Sequence, residues 1–209
     1  MPARPFRAFT SRYVVLPGEN IDTDQIIPAR YLTTTESTGL GRHAFHDWRY
    51  LDDGAPNPAF PLNAPGAAGA RILVAGRNFG CGSSREHAVW ALQGAGFDVI
   101  VSSQFADIFR ANAIGNGLLP VEVSKRMLVR LMDVADAPEM AVLAVDLETQ
   151  TLQLPDGDTV KFPIAPFAKH CLINGIGEMD FLLGATGEIA AFENHRPESG
   201  PPPSAPGPA

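Results

Sequence analysis

The sequence is poor in three features, each of which would define a class of protein. Its 209 residues include only two cysteines, Cys81 and Cys171, which excludes a disulfide scaffold and a self-contained metal or iron–sulfur site with four cysteine ligands. Acidic residues outnumber basic ones by 23 to 16, so the basic surplus of a nucleic-acid-binding protein is missing. The longest apolar run has six residues, whereas a membrane-spanning helix needs about 20. We therefore expect neither a nucleic-acid partner nor a membrane partner.

The N-terminal residues carry little information about targeting. No apolar segment of the secretory type follows Met1, and the first 18 residues hold three arginines without any acidic residue, as some transit peptides do. The apolar run over residues 13–16 instead favours a first β-strand over residues 6–16. We expect a protein of the reducing cytoplasm.

The middle of the chain alternates between two kinds of hydrophobic pattern. Hydrophobic residues make up 45% of the sequence, which is enough to form a buried core. Apolar runs over 71–75, 97–101 and 118–123 predict strands, and helical patterns over 83–95 and 104–114 separate them. Strand–helix–strand repeats of this kind predict parallel strands joined by right-handed crossovers.

The C-terminal third predicts further strands and helices. Ser124 can cap a helix that extends through Met132, and Asp156-Gly157 is a hairpin signal between extended segments. The predicted elements here are strands over 142–146, 151–154 and 159–164 and a last helix from 165 to 174. Together they predict a three-layer α/β domain with mixed strands. Residues 195–209 hold six of the 19 prolines and are predicted to be a disordered tail, leaving residues 1–194 as the domain.

The most informative stretch is a glycine-rich loop, residues 76–87, between a predicted strand and a predicted helix. Ser83 with Glu86 three residues later fits a capping box, so we expect Ser83 at the helix N-cap. The loop favours binding of an anion, because it combines three glycines, two serines, Arg85 and the unpaired N–H groups of a helix start. A planar carboxylate suits the arginine fork best. The loop is therefore a predicted carboxylate site.

Other interpretations of this loop fit less well. A phosphate-binding P-loop would need a lysine, and a dinucleotide loop would need a glycine at the position of Arg85. A hydrolase elbow needs Gly-x-Ser-x-Gly, which neither serine has. Cys81 as a nucleophile, with its thiolate favoured by the helix end, is an alternative, but no positioned histidine is visible nearby. A capped helix after a tight turn, without function, is the remaining alternative.

Metal sites are not predicted. Residues 20–29 contain Asp22 and Asp24, but a calcium loop would need a glycine at Ile27 and a glutamate at Thr33. An Asx-type turn that caps a short helix explains them better. A group of possible ligands lies further on, but a surface or core role is favoured for its members, His43, His46 and Asp47.

Three long motifs resemble one known family. Residues 80–88 (Gly-Cys-Gly-Ser-Ser-Arg-Glu-His-Ala) closely resemble the signature of the swivelling domain of the aconitase superfamily. Residues 20–29 resemble the start of 3-isopropylmalate dehydratase small subunits, and 105–110 with Asn112 and 117–120 resemble their third block. The match extends from Tyr13 to Phe192. It implies a three-layer swivelling β/β/α domain with a mixed, mainly parallel central sheet and short additional β elements.

The resemblance also implies roles for individual residues. In that family a separate large subunit holds a [4Fe–4S] cluster through its own cysteines. We therefore expect no cofactor in this chain, and we expect a large subunit as its partner. Ser83 matches the catalytic base and Asp24 the acid that supports the active site across the domain boundary. The matching substrate-binding positions are Gly82, Ser84 and Arg85. Because a free serine is a poor base, the helix N-terminus, the loop amides and Arg85 must together favour its alkoxide.

The implied reaction isomerises 2-isopropylmalate to 3-isopropylmalate by dehydration and rehydration, a step of leucine biosynthesis. Residues 30–38 lie where the family distinguishes substrate side chains, and we expect Tyr31, Leu32 and Thr34 to line that pocket. Because Glu36 and Ser37 replace a basic residue that relatives often carry, homoaconitate or a methyl-substituted malate remains an alternative substrate. A non-catalytic carboxylate-binding or RNA-binding module is a further alternative, although the net charge of −7 argues against RNA.

Overall fold

A seven-stranded sheet organises the part of the chain that this computed structural model describes, residues 4–32, 38–134 and 142–195. Its strands are β1 (Phe9–Leu16), β2 (Ile72–Ala75), β3 (Val99–Ser102), β4 (Leu119–Glu122), β5 (Val142–Asp146), β6 (Thr151–Gln153) and β7 (Thr159–Lys161). Their order across the sheet is β4-β3-β2-β1-β5-β6-β7. The strands β1 to β4 are parallel, whereas β5, β6 and β7 continue the sheet through antiparallel pairs.

The two halves of the sheet differ in burial. Every residue of β2 and β3 is buried, because helices cover both faces of this parallel half. Along β5 only Leu143 and Val145 are fully buried, which is the alternation expected of a strand with one solvated face. The predicted mixed sheet and its α/β class are confirmed.

Eight α-helices lie within the described ranges, several of them only one turn long. They are α1 (Thr23–Ile26), α2 (His46–Arg49), α3 (Glu86–Gly94), α4 (Asp107–Gly115), α5 (Lys125–Val134), α6 (Pro166–Asn174), α7 (Glu178–Gly184) and α8 (Thr186–His195). Short 3₁₀ turns occupy Ala29–Tyr31, Leu40–His43, Pro61–Asn63 and Pro65–Ala67. None of the described helices is both long and apolar enough to span a membrane.

Two apolar clusters sandwich the parallel strands. Leu73 and Ile100 point to one face, where they join buried residues of α3 and α4 such as Leu92 and Phe109. Val74 and Val101 point to the other face, against Leu131 of α5 and its neighbours. Helices therefore cover both faces of this part of the sheet, which gives the three layers that the alternating pattern predicts.

The C-terminal part differs from the prediction in one respect. The chain divides into two compact units, Met1–Gly177 and Glu178–Ala209, and the second unit contains α7 and α8 beyond the helix predicted to be the last. These helices leave large apolar side chains exposed, including Leu183 and Phe192, so they lack the buried stripe from which a helix is recognised in sequence. The proposed boundary between a domain over 1–194 and a tail over 195–209 stays a prediction, and residues 196–209 lie outside the described residues.

Candidate active site in the glycine-rich loop

Helix α3 begins later than the sequence suggests. Its N-cap is Arg85, and the cap makes no side-chain hydrogen bond, so the predicted N-cap at Ser83 and its capping box with Glu86 are wrong. The two residues have other partners, because tertiary contacts outcompete the local pattern. The Glu86 carboxylate accepts a hydrogen bond from Asn116 Nδ2 at 2.8 Å, and the backbone carbonyl of Ser83 accepts one from the hydroxyl of Thr23. Ser83 therefore lies in a loop ahead of the helix.

The glycine-rich loop is held by a second segment, residues 20–23, which runs beside it. Asp22 and Cys81 form an isolated parallel β-bridge between the two. Three backbone hydrogen bonds of 2.8–2.9 Å fix the alignment; they run from Asn20 N to Arg77 O, from Gly80 N to Ile21 O and from Thr23 N to Cys81 O. The two motifs that sequence analysis singled out separately are thus one structural unit.

Asparagines support this unit at positions where the backbone turns sharply. Asn20 and Asn78 have positive φ angles of 56° and 60°, a conformation that asparagine tolerates better than most residues. Asn78 Nδ2 also donates to Asn20 Oδ1 at 2.9 Å, so the two turns are linked across the segments.

Glycine is required in the loop for two different reasons. Gly80 has a φ of +77°, and a Cβ atom there would lie 2.2 Å from Cγ of the buried Phe109, so only glycine fits. Gly82 has a φ of +90°, but a Cβ atom would lie no closer than 3.4 Å to its neighbours, so only its backbone conformation demands glycine.

The segment beside the loop starts α1 as predicted. Asp22 is the N-cap, and it forms a reciprocal capping box with Gln25: Gln25 N donates to Asp22 Oδ1 at 2.7 Å, and Asp22 N donates to Gln25 Oε1 at 2.9 Å. The predicted Asx-type cap is therefore confirmed. It leaves Asp24 in the first turn of the helix, exposed on the side that faces the loop.

Asp24 and Arg85 form an ion pair across the two segments. The Arg85 side chain is 19% exposed and that of Asp24 52%. A cation at a helix N-terminus is opposed by the helix dipole, so a carboxylate beside Arg85 offsets an unfavourable position. The arrangement presents a guanidinium, held from one side by Asp24, at the N-terminus of α3.

Two serines, Ser83 and Ser84, immediately precede Arg85 in the loop. Ser83 and Ser84 are exposed, and within the described ranges neither side chain has a hydrogen-bond partner. Five predicted site residues are therefore brought together: Asp24, Gly82, Ser83, Ser84 and Arg85. The site is an open surface with free hydroxyls and an oriented arginine fork, which can bind a carboxylate and offer an oxygen base.

The geometry argues against Cys81 as a nucleophile. Burial, and next to it the negative charge of Asp22, raises the pKa of the Cys81 thiol. A thiolate nucleophile requires the opposite shift, and α3 begins five residues later than Cys81. The thiol instead lies 3.3 Å from the backbone carbonyl oxygen of Asn20 as a hydrogen-bond donor.

A second group of side chains follows α1, and we call it the histidine–tyrosine cluster: Arg30, Tyr31, His43, His46, Asp47 and Tyr50. The Tyr31 ring stacks on His43 with 3.9 Å between centroids, and His46 lies 4.9 Å from both Tyr31 and Tyr50. Arg30 forms an ion pair with Asp47 and lies 4.8 Å from the centre of the Tyr31 ring. Among the described residues no three His, Cys, Asp or Glu side chains are arranged to hold a metal ion.

Two of the three predicted pocket residues, Tyr31 and Leu32, lie in or directly beside this cluster. Tyr31 and Leu32 are half-buried and pack against the core, while Thr34 lies outside the described residues. Sequence reasoning missed the supporting residues Thr23, Asn78 and Asn116. Asn116 binds the side chains of Trp90, Gln93 and Glu86 and so joins α3 to the end of α4, but no local pattern marks it.

The fold and this loop together define a known class of domain. A family model described as the aconitase C-terminal domain matches residues 8–126, and one described as LeuD_N matches residues 129–166. A crystal structure of 3-isopropylmalate dehydratase (leuD) from Methanocaldococcus jannaschii DSM2661 is similar, with a TM-score of 0.63 and 26% identity over 89% of this chain and 99% of that one. The class is the swivelling α/β domain of the aconitase type.

Curated relatives narrow the class to one family. The 3-isopropylmalate dehydratase small subunit of Anaeromyxobacter dehalogenans (strain 2CP-C) is 55% identical over 192 residues, which are 92% of this chain and 98% of the relative. That of Roseiflexus sp. (strain RS-1) is 53% identical over 194 residues, 93% and 95% of the two chains. The chain belongs to the family of 3-isopropylmalate dehydratase small subunits, as the three motifs predict.

Proposed function

We propose that this chain is the small subunit of a heteromeric hydro-lyase that converts 2-isopropylmalate to 3-isopropylmalate by dehydration and rehydration. One observation carries the proposal beyond family membership: Asp24 pairs with Arg85, and the exposed serines Ser83 and Ser84 immediately precede this arginine in the loop. A dicarboxylate substrate needs this combination of a carboxylate anchor and a proton acceptor.

Arg85 is proposed to bind the carboxylate that all candidate substrates share. Its guanidinium offers a planar fork of donors, and the N-terminus of α3 adds a favourable potential for an anion. Ser84 supplies a further hydroxyl, and Gly82, which has no side chain, leaves the loop backbone accessible to substrate. Asp24 keeps the fork in place when no substrate is bound.

Ser83 is proposed to remove the proton from the carbon beside a substrate carboxylate. Because it precedes the helix, its alkoxide does not receive the support that an N-cap position would provide. That support must come from Arg85 two residues further on and from groups that enclose the exposed loop when the partner binds. This exposure is the physical reason to propose that the chain is active only with a large subunit.

The cofactor is proposed to belong to that large subunit. That subunit would hold a [4Fe–4S] cluster, as the family resemblance implies, and the cluster would supply a Lewis acid for the substrate hydroxyl. The described residues of this chain include no group of three or more potential ligands, and we assign to its side chains only binding and proton transfer. The cytoplasmic location stays a prediction.

The test is co-expression of the chain with a cluster-bearing large subunit. The purified complex should interconvert 2- and 3-isopropylmalate, whereas the chain alone should be colourless and inactive. Homoaconitate and methyl-substituted malate belong in the same panel, because Glu36 and Ser37 stand where relatives often carry a basic residue. Turnover by the chain alone, or iron bound to it in stoichiometric amount, would contradict the proposal.

A further inference from the structure

Thr23 is a buried polar residue that contacts the glycine-rich loop twice. Its side chain is almost inaccessible, with 2% of the residue exposed. Its backbone N–H donates to the Cys81 carbonyl at 2.9 Å, and its hydroxyl Oγ1 donates to the Ser83 carbonyl, also at 2.9 Å. The two bonds therefore bracket Gly82, the residue between the two acceptors.

The position of Ser83 depends strongly on this contact. Gly82 has no side chain that could limit its backbone rotation, and it holds a φ of +90° that only glycine adopts readily. The Ser83 hydroxyl has no hydrogen-bond partner within the described ranges, so nothing there fixes its side chain directly. The hydrogen bond from Thr23 Oγ1 to the Ser83 carbonyl therefore restrains the backbone of Ser83 from the side of α1.

We infer that Thr23 is a positioning residue for Ser83. By holding the backbone carbonyl of Ser83 in place, it orients the Ser83 hydroxyl. The inference rests on the proposed role of Ser83 as the base. A buried hydroxyl is costly unless it is hydrogen-bonded, and here its partner is the loop itself. The contact couples the start of α1, which also carries Asp24, to the proposed proton acceptor.

The matched test compares Thr23→Ser with Thr23→Ala, because these two variants differ only by the hydroxyl. In the complex with the large subunit, Thr23→Ala should lower kcat by about 10- to 100-fold, since small misplacements of a reacting group cost up to this much. KM should change little, because Arg85 is not displaced. Thr23→Ser should restore most of kcat, and Thr151→Val, which removes an exposed hydroxyl bonded to Thr149, should behave as wild type.

A second readout does not depend on catalysis. Amide hydrogen exchange at Asn20 and Gly80, whose N–H groups donate across the two segments to the carbonyls of Arg77 and Ile21, should be faster in Thr23→Ala and normal in Thr23→Ser, in the full chain without its partner. Unchanged exchange in Thr23→Ala, or a loss of kcat that Thr23→Ser does not restore, would overturn the inference. If Ser83→Ala retained turnover, the proposed role of Ser83 as the base would fail and with it the catalytic part of the inference, while the exchange result would still decide whether Thr23 fixes the loop.

Discussion

The glycine-rich loop and the histidine–tyrosine cluster flank the same short helix, α1, but they are held in different ways. Backbone hydrogen bonds from residues 20–23 fix the loop, and a glycine at position 80 packs directly against Phe109. Side chains fix the cluster, through the stacking of Tyr31 on His43 and the ion pair between Arg30 and Asp47. One region depends on backbone geometry and the other on the identity of its side chains.

This difference suits the two tasks proposed for these regions, anchoring the substrate at the loop and distinguishing its side chain beside the cluster. Backbone bonds persist when exposed side chains change, so the loop can present Arg85 and Ser83 in one geometry to every substrate. Contacts between side chains change with each substitution, so the cluster and the adjoining Leu32 can adapt to different substrate side chains. We therefore expect substitutions in the loop to affect all substrates alike and those beside the cluster to affect their ranking.

The largest effect is expected at Ser83. In the complex, Ser83→Ala should lower kcat by about 10²- to 10⁴-fold, which is typical for the loss of a positioned proton-transfer group. Substrate binding should survive, because Arg85 and Ser84 remain. Steady-state kinetics measures both quantities, and a retained kcat would mean that the base lies elsewhere.

Cys81→Ser is the matched control in the same loop. It should keep substantial activity, because the raised pKa of Cys81 and its bond to Asn20 describe a structural thiol. Complete inactivation by this change would support the nucleophile hypothesis after all.

The next effect is expected at Arg85. Arg85→Lys keeps the charge but removes the fork, so kcat/KM should fall for isopropylmalate, methyl-substituted malate and homoaconitate by a similar factor. One lost hydrogen bond between charged groups is worth about 1.5–3 kcal/mol, or roughly 10- to 100-fold. Arg71→Lys is the control, because Arg71 pairs with Asp98 in an exposed position away from the loop. If Arg85→Lys changed the ratios of kcat/KM between the three substrates, the proposed division of tasks between the loop and the cluster would be wrong.

Much of the fold was predictable because its signals are local. The structure contains the buried strands β2 and β3 and the Asp156-Gly157 hairpin, as predicted. It also confirms Ser124 as the cap of α5, because Met127 N donates to Ser124 Oγ. Helix α6 starts at Pro166 and ends before Gly175, whose φ of +65° explains the choice of glycine. Helices α7 and α8 were missed, because their apolar side chains remain exposed.

The sequence motifs named candidate members of the site, whose roles stay predictions, but not the geometry of the loop. The resemblance of the motifs identified Ser83, Arg85 and Asp24, and the structure brings the last two into an ion pair. The helix start was wrong because Glu86 binds Asn116, a residue 30 positions away that no local pattern connects to it. Long-range partners of this kind decide between two locally acceptable caps, and one sequence alone does not contain them.

A smaller effect is expected beside the cluster. Leu32→Ala should change the ranking of the three substrates without abolishing turnover, because apolar contacts discriminate by about 1–3 kcal/mol per methylene. Thr34, which lies outside the described residues, is expected to behave in the same way. Leu51→Ala removes an exposed leucine and serves as the control. Unchanged ratios of kcat/KM in Leu32→Ala would refute the role given to residues 30–38.

The smallest effect is expected from the acid–base chemistry of the cluster. Burial lowers the pKa of His43 below its ordinary value of 6.5, and the positive charges of Arg42, His46 and Arg30 lower it further. Asp47 is the acidic member of the cluster, but it is engaged by Arg30. Arg42 Nε donates to His43 Nε2 at 3.0 Å, a bond that needs this nitrogen unprotonated. The folded chain thus binds this proton less readily than the unfolded chain.

The sign of the pH dependence follows from that difference. Stability attributable to neutral His43 is complete above the unfolded pKa of 6.5 and is lost as the pH falls from there toward the lower folded pKa. His43→Phe keeps a ring for stacking on Tyr31 but cannot titrate, so its free energy of unfolding should decline less between about pH 7.5 and about pH 5.5. Urea unfolding at both pH values measures this, with His170→Phe on α6 as the control. Equal declines in wild type and His43→Phe would show that the cluster tolerates a charged ring, and that its shape depends on packing rather than on protonation.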